Sequence, residues 1–199
     1  MLLLLLGISA VFALKQANPL YVYSRGIFLP SENPEFNIYS YSNVTKVDFT
    51  INRVLDPLAL LRLKSNEGYS TLKIPENVKT VVVRRDSVQL DQRYDQIKIG
   101  KLEPGLYLIG FSNGQSKGVG IALVTELGMV VKRSDSKVNI LTVNRSNGQR
   151  KAANVFAIEG AKQTQIKTDS NGLGKLELAS DKGGLIIANA GNKIGRAHV

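Results

Sequence analysis

The amino-acid sequence predicts an all-β protein built from two β-sandwiches in series. Short segments rich in Val, Ile and Leu recur along the chain, and Gly, Pro, Asn and Asp interrupt them at near-regular spacing. Tryptophan is absent and aromatic residues make up only 7% of the chain, so aliphatic side chains must build most of the cores. No convincing long amphipathic helix accompanies these segments. We therefore expect antiparallel sandwiches of the immunoglobulin-like or fibronectin-like kind.

The first half of the chain carries the clearest strand signals. Residues 46–52 alternate polar and apolar side chains, which is the pattern of a strand with one buried face. Residues 106–111 read LYLIGF, which is typical of a strand that is apolar on both faces. Asn113 and Gly114 predict a hairpin turn into a partner strand at residues 119–124. Further strands are predicted at residues 19–28, 36–41, 78–83 and 97–99, residues 58–63 suit a helical turn or a strand, and residues 84–95 stay unassigned.

A second series of strands begins at residues 129–132. Asn147 and Gly148 predict a hairpin turn between strands at residues 138–143 and 154–158. Polar residues that read DSNG separate the next two strands, as turn chemistry requires. The remaining strands are predicted at residues 164–168, 173–178 and 184–190.

The spacing of the strands places a domain boundary near Thr125. The strand at residues 119–124 runs almost directly into the strand at residues 129–132, with no room for a linker. We expect a first sandwich at residues 18–125 and a second at residues 126–193. The second unit is barely large enough for a core of its own, so we expect it to pack against its neighbour.

The N-terminus predicts export. Residues 1–14 read MLLLLLGISAVFAL, an apolar run shorter than the roughly 20 residues that span a bilayer as a helix. Its length and the small residues Ala13 and Ala17 indicate a signal peptide over residues 1–17, with a buried first strand or helix as the alternative. The chain contains no cysteine, which excludes a lipid anchor on Cys, disulfides and a Cys nucleophile. The predicted location is the periplasm or the exterior of the cell.

The C-terminus predicts a tail of foreign origin. Residues 194–199 read IGRAHV, which the codons ATC GGA AGA GCA CAC GTC would encode. That string matches the start of a common sequencing-library adapter, so we expect the natural protein to continue beyond Lys193, with a genuine six-residue tail as the alternative. His198 is the single histidine of the chain and lies in this tail, so no functional role is assigned to it.

The basic charge of the chain does not indicate nucleic-acid binding. The formal net charge is +10, and its local clusters are the pairs at residues 84–85, 132–133 and 150–151. Each pair falls in a different predicted strand or turn, and no aromatic residue is interleaved for base stacking. A solvated basic surface follows, with weak contact to an anionic lipid or envelope polymer left open.

The sequence predicts no catalytic, cofactor-binding or metal-binding residue. A Ser-His-Asp arrangement cannot be built once His198 is set aside. Asp169, Asn171 and Glu177 do not have the ligand spacing of a calcium loop, so a turn is the better interpretation. The glycines at positions 118, 120 and 128 precede no helix and cannot form a phosphate-binding loop.

Three passages of the chain resemble one protein family. They read EPGLYLIGF (103–111), ALVTELGMVVKRSDSKVNILTVN (122–144) and TDSNGLGKLEL (168–178). Together they are similar to the bacterial alpha-2-macroglobulin family, in which a strand ends one macroglobulin-like domain and leads into the next. The residues that match the spaced pattern of the second domain are Gly148, Ala153, Val155, Thr168, Asp169 and Gly172.

The resemblance implies a scaffold without chemistry of its own. Family members are exported broad-range endopeptidase inhibitors that trap a protease after it cleaves a bait segment, often with a Cys–Gln thioester. This chain has no cysteine and no identifiable bait segment, so the resemblance implies an N-terminal fragment of macroglobulin-like domains. Its partners would be target proteases, reached through the full-length protein, and other envelope proteins. The alternative is a secreted immunoglobulin-like adhesion or polymer-binding module whose basic surface is the binding face.

Overall fold

The computed structural model describes residues 20–40, 45–57, 60, 78–91, 94–114, 116–179, 184–191 and 193–198. Its strands confirm the all-β prediction. The predicted signal peptide lies outside the described residues, as do residues 58–63 apart from Leu60. Within the described ranges, no helix has the length and apolar character needed to cross a bilayer.

Fifteen strands are present in the described part of the chain. They are β1 Leu20–Tyr23, β2 Ile27–Phe28, β3 Glu35–Ser40, β4 Lys46–Val54, β5 Thr80–Gln89, β6 Tyr94–Lys98, β7 Gly105–Ser112, β8 Lys117–Val124, β9 Leu127–Ser134, β10 Lys137–Asn144, β11 Asn154–Glu159, β12 Lys162–Lys167, β13 Leu173–Glu177, β14 Leu185–Ala190 and β15 Lys193–His198.

The strands form four sheets, and each sheet takes its strands from only one part of the sequence. Strands β1 to β8 supply a sheet of order β1-β3-β6 and a sheet of order β2-β8-β7-β4-β5. Strands β9 to β15 supply the orders β13-β10-β9 and β12-β11-β14-β15. The last strand of the first pair of sheets ends at Val124, and the first strand of the second pair begins at Leu127. The domain limits drawn from the sequence stay a prediction. We call the two pairs of sheets the first and the second sandwich.

A chain of phenylalanines fills the first sandwich. The ring centroids of Phe36 and Phe111 are 5.4 Å apart, and Phe28 and Phe49 continue the contact on either side at 6.4 and 6.1 Å. Gly120 on β8 lies beneath Phe36, because a Cβ at this position would come within 2.3 Å of the Phe36 ring. Close packing of the ring, not phosphate binding, therefore explains this glycine.

Strand β7 is buried on both faces, as its LYLIGF segment predicts. Tyr107, Ile109 and Phe111 point into the core of the first sandwich. Leu106 and Leu108 point the other way and belong to a separate apolar cluster. Both sets of side chains are almost completely shielded from solvent. Such double burial of an antiparallel strand requires a second layer of protein on its outer side.

Burial also affects the tyrosine of this strand. It raises the pKa of the Tyr107 phenol, whose hydroxyl donates a 2.8 Å hydrogen bond to the carbonyl of Glu103. The hydroxyl therefore stays protonated and ties β7 to the turn that precedes it.

The hairpin turn predicted at Asn147 and Gly148 forms locally, with an antiparallel bridge between Val143 and Arg150, but the two strands that it was predicted to pair do not pair with each other. Strand β10 pairs with β9 and β13, whereas β11 pairs with β12 and β14 in the other sheet. A local turn does form, since the amide of Asn144 donates to the carbonyl of Gln149 at 2.7 Å. The chain then crosses from the sheet of β10 to the sheet of β11, and Ala153 in this crossing is buried in the core of the second sandwich.

Two other segments differ from the sequence prediction. The predicted strand at residues 19–28 is split into β1 and β2 at Gly26, which has a φ of 77°. Of residues 84–95, which the sequence left unassigned, residues 84–89 belong to β5 and residues 94–95 belong to β6. Strand β5 is a sheet edge and is exposed along most of its length, so it lacks the apolar alternation that a sequence pattern can detect.

Candidate functional site

The strongest candidate for a functional feature is the junction between the two sandwiches. A buried apolar cluster, which we call the junction cluster, joins residues of both. Its first-sandwich half comes from the outer faces of β4, β7 and β8, and its second-sandwich half comes from β14 and β15. Its buried members are Val54, Leu60, Val78, Leu106, Leu108, Leu123, Leu185, Ile187 and Ile194, the last of which falls in the tail predicted to be of foreign origin.

Strand β14 is the counterpart of β7 on the other side of the junction. Ile186 and Ala188 point into the core of the second sandwich. Leu185 and Ile187 alternate with them and point into the junction cluster. The described second sandwich has only three-stranded and four-stranded sheets, so the junction cluster adds apolar burial that a unit of this size needs.

Hydrogen bonds hold the two-residue connector between the sandwiches. The Thr125 amide donates to the carbonyl of Phe28 at 2.8 Å, which ties it to the first sandwich. The side chain of Arg145 donates to the carbonyl of Thr125 at 3.2 Å, and the Arg145 amide donates to the carbonyl of Glu126 at 2.7 Å. Thr125 is itself buried, and its hydroxyl accepts from the Leu127 amide. The connector is therefore a structured part of the junction and not a flexible linker.

An ion pair closes the junction on the side of β15. The Lys193 ammonium contacts the Glu126 carboxylate, and both side chains remain partly exposed. The hydrogen bond from Lys193 and its positive charge lower the pKa of Glu126 below the ordinary value of 4.5. The pair thus joins the connector to the last strand of the second sandwich.

Replacing Glu126 by glutamine is expected to lower the free energy of unfolding slightly near neutral pH. The folded-state pKa of Glu126 is lowered, so its carboxylate stabilises the protein above pH 4.5 and this contribution is lost as the pH falls through the lowered pKa. Urea unfolding of both proteins near neutral pH and well below pH 4.5 measures the difference. An equal gap between the two proteins at both pH values would contradict the ion-pair explanation.

Three of the residues that matched the family pattern form a turn in the second sandwich, in which Thr168 and Gly172 are buried and Asp169 is exposed. The Thr168 hydroxyl accepts from the Ala153 amide at 2.8 Å and lies 3.2 Å from the hydroxyl of Thr142. The Asp169 carboxylate accepts from the Leu173 amide at 2.8 Å. Gly172 has a φ of 69°, and a Cβ there would come within 2.3 Å of the Thr142 carbonyl. The motif is therefore a structural turn, in which Thr168 and Asp169 supply hydrogen bonds and Gly172 supplies a positive φ and a close approach.

The described residues offer no assembled chemistry. Among them, no three His, Asp or Glu side chains lie close enough together to hold a metal ion. Asp169 is engaged in its own turn through hydrogen bonds with the backbone of Gly172 and Leu173. Gly118 and Gly128 are close-packing positions, because an added Cβ would come within 2.8 Å of Val22 and Arg145 respectively.

A groove of about 500 Å³ opens beside the junction cluster. Arg53, Leu55 and Asp56 at the end of β4 line one side of it, and Asn189 and Gly191 line the other. Arg53 is fixed by a 3.0 Å hydrogen bond to the carbonyl of Pro104. Among the described residues that line the groove, no pair of groups is suited to general acid–base or nucleophilic chemistry.

The arrangement of both sandwiches together matches solved structures. A crystal structure of native alpha-2-macroglobulin from Escherichia coli, spanning domains NIE-MG1, aligns with a TM-score of 0.71 over 94% of this chain and 99% of its own. The chain has the fold of these bacterial alpha-2-macroglobulin domains. The resemblance seen in the sequence is thereby confirmed at the level of the fold, although the two sequences are only 17% identical.

Two longer alpha-2-macroglobulin structures place this fold in context. An Escherichia coli structure spanning domains MG0-NIE-MG1 has a TM-score of 0.71 and 20% identity over 92% of this chain and 64% of its own. A Salmonella alpha-2-macroglobulin variant has a TM-score of 0.64 and 17% identity over 90% of this chain. The chain spans 12% of the length of that Salmonella protein. No protein-family model and no curated protein sequence matches the chain.

Proposed function

We propose that the chain is the N-terminal scaffold of an exported alpha-2-macroglobulin-like protease inhibitor. One observation carries this proposal: a single alignment to the NIE-MG1 domains covers both sandwiches together, over 94% of this chain. Many proteins contain one immunoglobulin-like sandwich, so a match to one alone would say little about function. A match to a pair in a common arrangement is more specific, because the junction must be shared as well.

In this role the chain contributes shape and not reactivity. The junction cluster and the hydrogen-bonded connector fix one sandwich against the other. A rigid pair can hold later domains of a large trap at a set distance and direction. The reaction with a protease would belong to parts of the full-length protein outside this chain, and target proteases would be its partners through those parts.

Export belongs to the same proposal. The apolar run at residues 1–14 supports a signal peptide, and an inhibitor of foreign or envelope proteases would act in the periplasm or outside the cell. Fractionation of cells that express the chain with a C-terminal epitope measures this directly. Recovery of a shortened product in the periplasm or medium is expected, and a full-length product confined to the cytoplasm would contradict export.

The scaffold role makes a prediction about inhibition. The isolated chain is expected to leave endopeptidase activity on a large protein substrate unchanged, even at a molar excess over the enzyme. The full-length protein, expressed from the complete gene, is expected to block that activity and to spare small peptide substrates. Inhibition by the isolated chain would overturn the scaffold role, and no inhibition by the full-length protein would overturn the trap.

A further inference from the structure

The outer face of the three-stranded sheet β1-β3-β6 is rich in tyrosine. Tyr21 pairs with Tyr39, and Tyr39 pairs with Tyr94, so these three tyrosines form one row across the strands. Tyr23 lies in the next row, opposite Asn37. Four of the seven tyrosines of the chain therefore share this face, which we call the tyrosine face.

Three of the four rings of the tyrosine face are exposed, although the rings contact one another in pairs. Tyr21, Tyr23 and Tyr94 are 42%, 45% and 49% exposed, while the alternating residues Leu20 and Val22 are buried. The ring centroids of Tyr21 and Tyr39 are 6.4 Å apart, and those of Tyr23 and Tyr94 are 6.5 Å apart. Exposed aromatic clusters are uncommon on soluble proteins and typically mark a binding surface.

Amide side chains lie among these rings. Asn37 sits in the sheet between Tyr23 and Gln96 and accepts a 2.9 Å hydrogen bond from the Tyr94 hydroxyl. Its side-chain NH₂ and the whole Gln96 amide supply both donors and acceptors at the surface. The described outer face of these three strands carries no aliphatic side chain, in contrast to the exposed Val130 and Leu173 of the second sandwich.

A polar hollow of about 470 Å³ continues from the amide end of the face. Asn33, Asn37 and Gln96 line it together with charged groups that already have partners. Arg25 is 2.6 Å from Glu32, and Lys98 is 3.4 Å from Glu35. The charges therefore compensate one another, which favours an uncharged ligand over an anionic or a cationic one.

We propose that the tyrosine face binds a neutral polysaccharide of β-1,4-linked pyranose units. Pyranose rings with equatorial substituents present flat C–H faces that pack on aromatic rings, and their hydroxyls pair with amides at the rim. The face and the hollow together supply both kinds of contact, and the hollow has the size of a small-molecule site. A protein partner is disfavoured because the core of a protein interface is depleted of charged residues, whereas Glu35 and Lys98 lie on this same face of the sheet.

The proposal is independent of the scaffold role, because the tyrosine face and the junction cluster use different residues and different sheets. Loss of binding would leave the junction intact, and failure of the trap assay would leave saccharide binding untouched. The two ideas can therefore fail separately.

Binding of chitohexaose and cellohexaose to the 199-residue chain tests the proposal. The chain lacks tryptophan, so its intrinsic fluorescence comes from its seven tyrosines, four of which lie on this face. We expect a saturable change in tyrosine fluorescence with at least one of the two hexasaccharides, and retention of the chain on the matching insoluble polymer. The double substitution Tyr23→Ala with Tyr94→Ala is expected to weaken binding by about tenfold or more.

Two further variants separate stacking from folding. Tyr23→Phe with Tyr94→Phe keeps both rings and should bind within about threefold of the wild type. Val130→Ala with Leu173→Ala removes exposed apolar groups from the other sandwich and should bind as the wild type does. Circular dichroism and thermal midpoints verify that each variant folds. No saturable binding by the wild type, or unchanged binding after the two alanine substitutions at tyrosine, would overturn the proposal.

Discussion

Substitution of Gly172 by alanine is expected to lower the free energy of unfolding by about 3 kcal/mol or more. Two costs combine at this position. Its φ of 69° is unfavourable for a residue with a side chain, and the new Cβ would come within 2.3 Å of the Thr142 carbonyl. Relief requires a backbone shift, because the Thr142 amide donates to the Gly172 carbonyl and the Thr142 carbonyl accepts from the Lys151 amide. Urea unfolding measures the change.

Gly148 provides a matched control for this prediction. It has a similar φ of 73°, but nothing lies within 4 Å of the place where its Cβ would be. Gly148→Ala should therefore cost only the conformational part, about 1 kcal/mol. Equal losses for the two variants would show that backbone conformation alone, and not the close approach to Thr142, makes glycine necessary in the turn.

Truncation of Ile187 to alanine is expected to destabilise the protein by about 2–5 kcal/mol. Ile187 is completely buried in the junction cluster, so its truncation removes apolar contacts and leaves a cavity between the sandwiches. Ile186, its neighbour in β14, is equally buried but points into the core of the second sandwich. Both single variants should lose similar stability, and unfolding followed by circular dichroism measures each. A near-neutral Ile187→Ala would mean that the junction contributes little.

The sequence predicted the fold well wherever local pattern decides it. Residues 106–111 are apolar at successive positions, and the structure buries β7 on both faces for that reason. The turn at Asn147 and Gly148 was located correctly, but its strands do not pair with each other. A two-residue signal specifies that the chain reverses, whereas long-range packing decides which strands become neighbours.

The candidate junction could be predicted only in part. A small second unit implied packing against its neighbour, but the residues that share the junction cluster are far apart in sequence, as Leu106 and Ile187 are. The ion pair between Glu126 and Lys193 likewise joins residues 67 positions apart. Neither has a local motif, because each depends on the relative placement of two sandwiches.

The tyrosine face illustrates the same limit. Tyr21 and Tyr23 alternate with buried Leu20 and Val22, so the sequence shows that these rings point outward. Their proximity to Tyr94 depends on the pairing of β3 with both β1 and β6. Sequence periodicity assigns a residue to a face, and only the sheet order assembles faces into a surface.

The central claim is that one apolar cluster joins both sandwiches into a single rigid scaffold, and a double-mutant cycle tests it most directly. The cycle combines Leu106→Ala on β7 with Ile187→Ala on β14, and its control combines Leu106→Ala with Ile186→Ala. We predict a coupling free energy of about 0.5–3 kcal/mol for the first pair and additivity within about 0.5 kcal/mol for the control. Additivity in both pairs, or two separate unfolding transitions in the wild type, would contradict the claim.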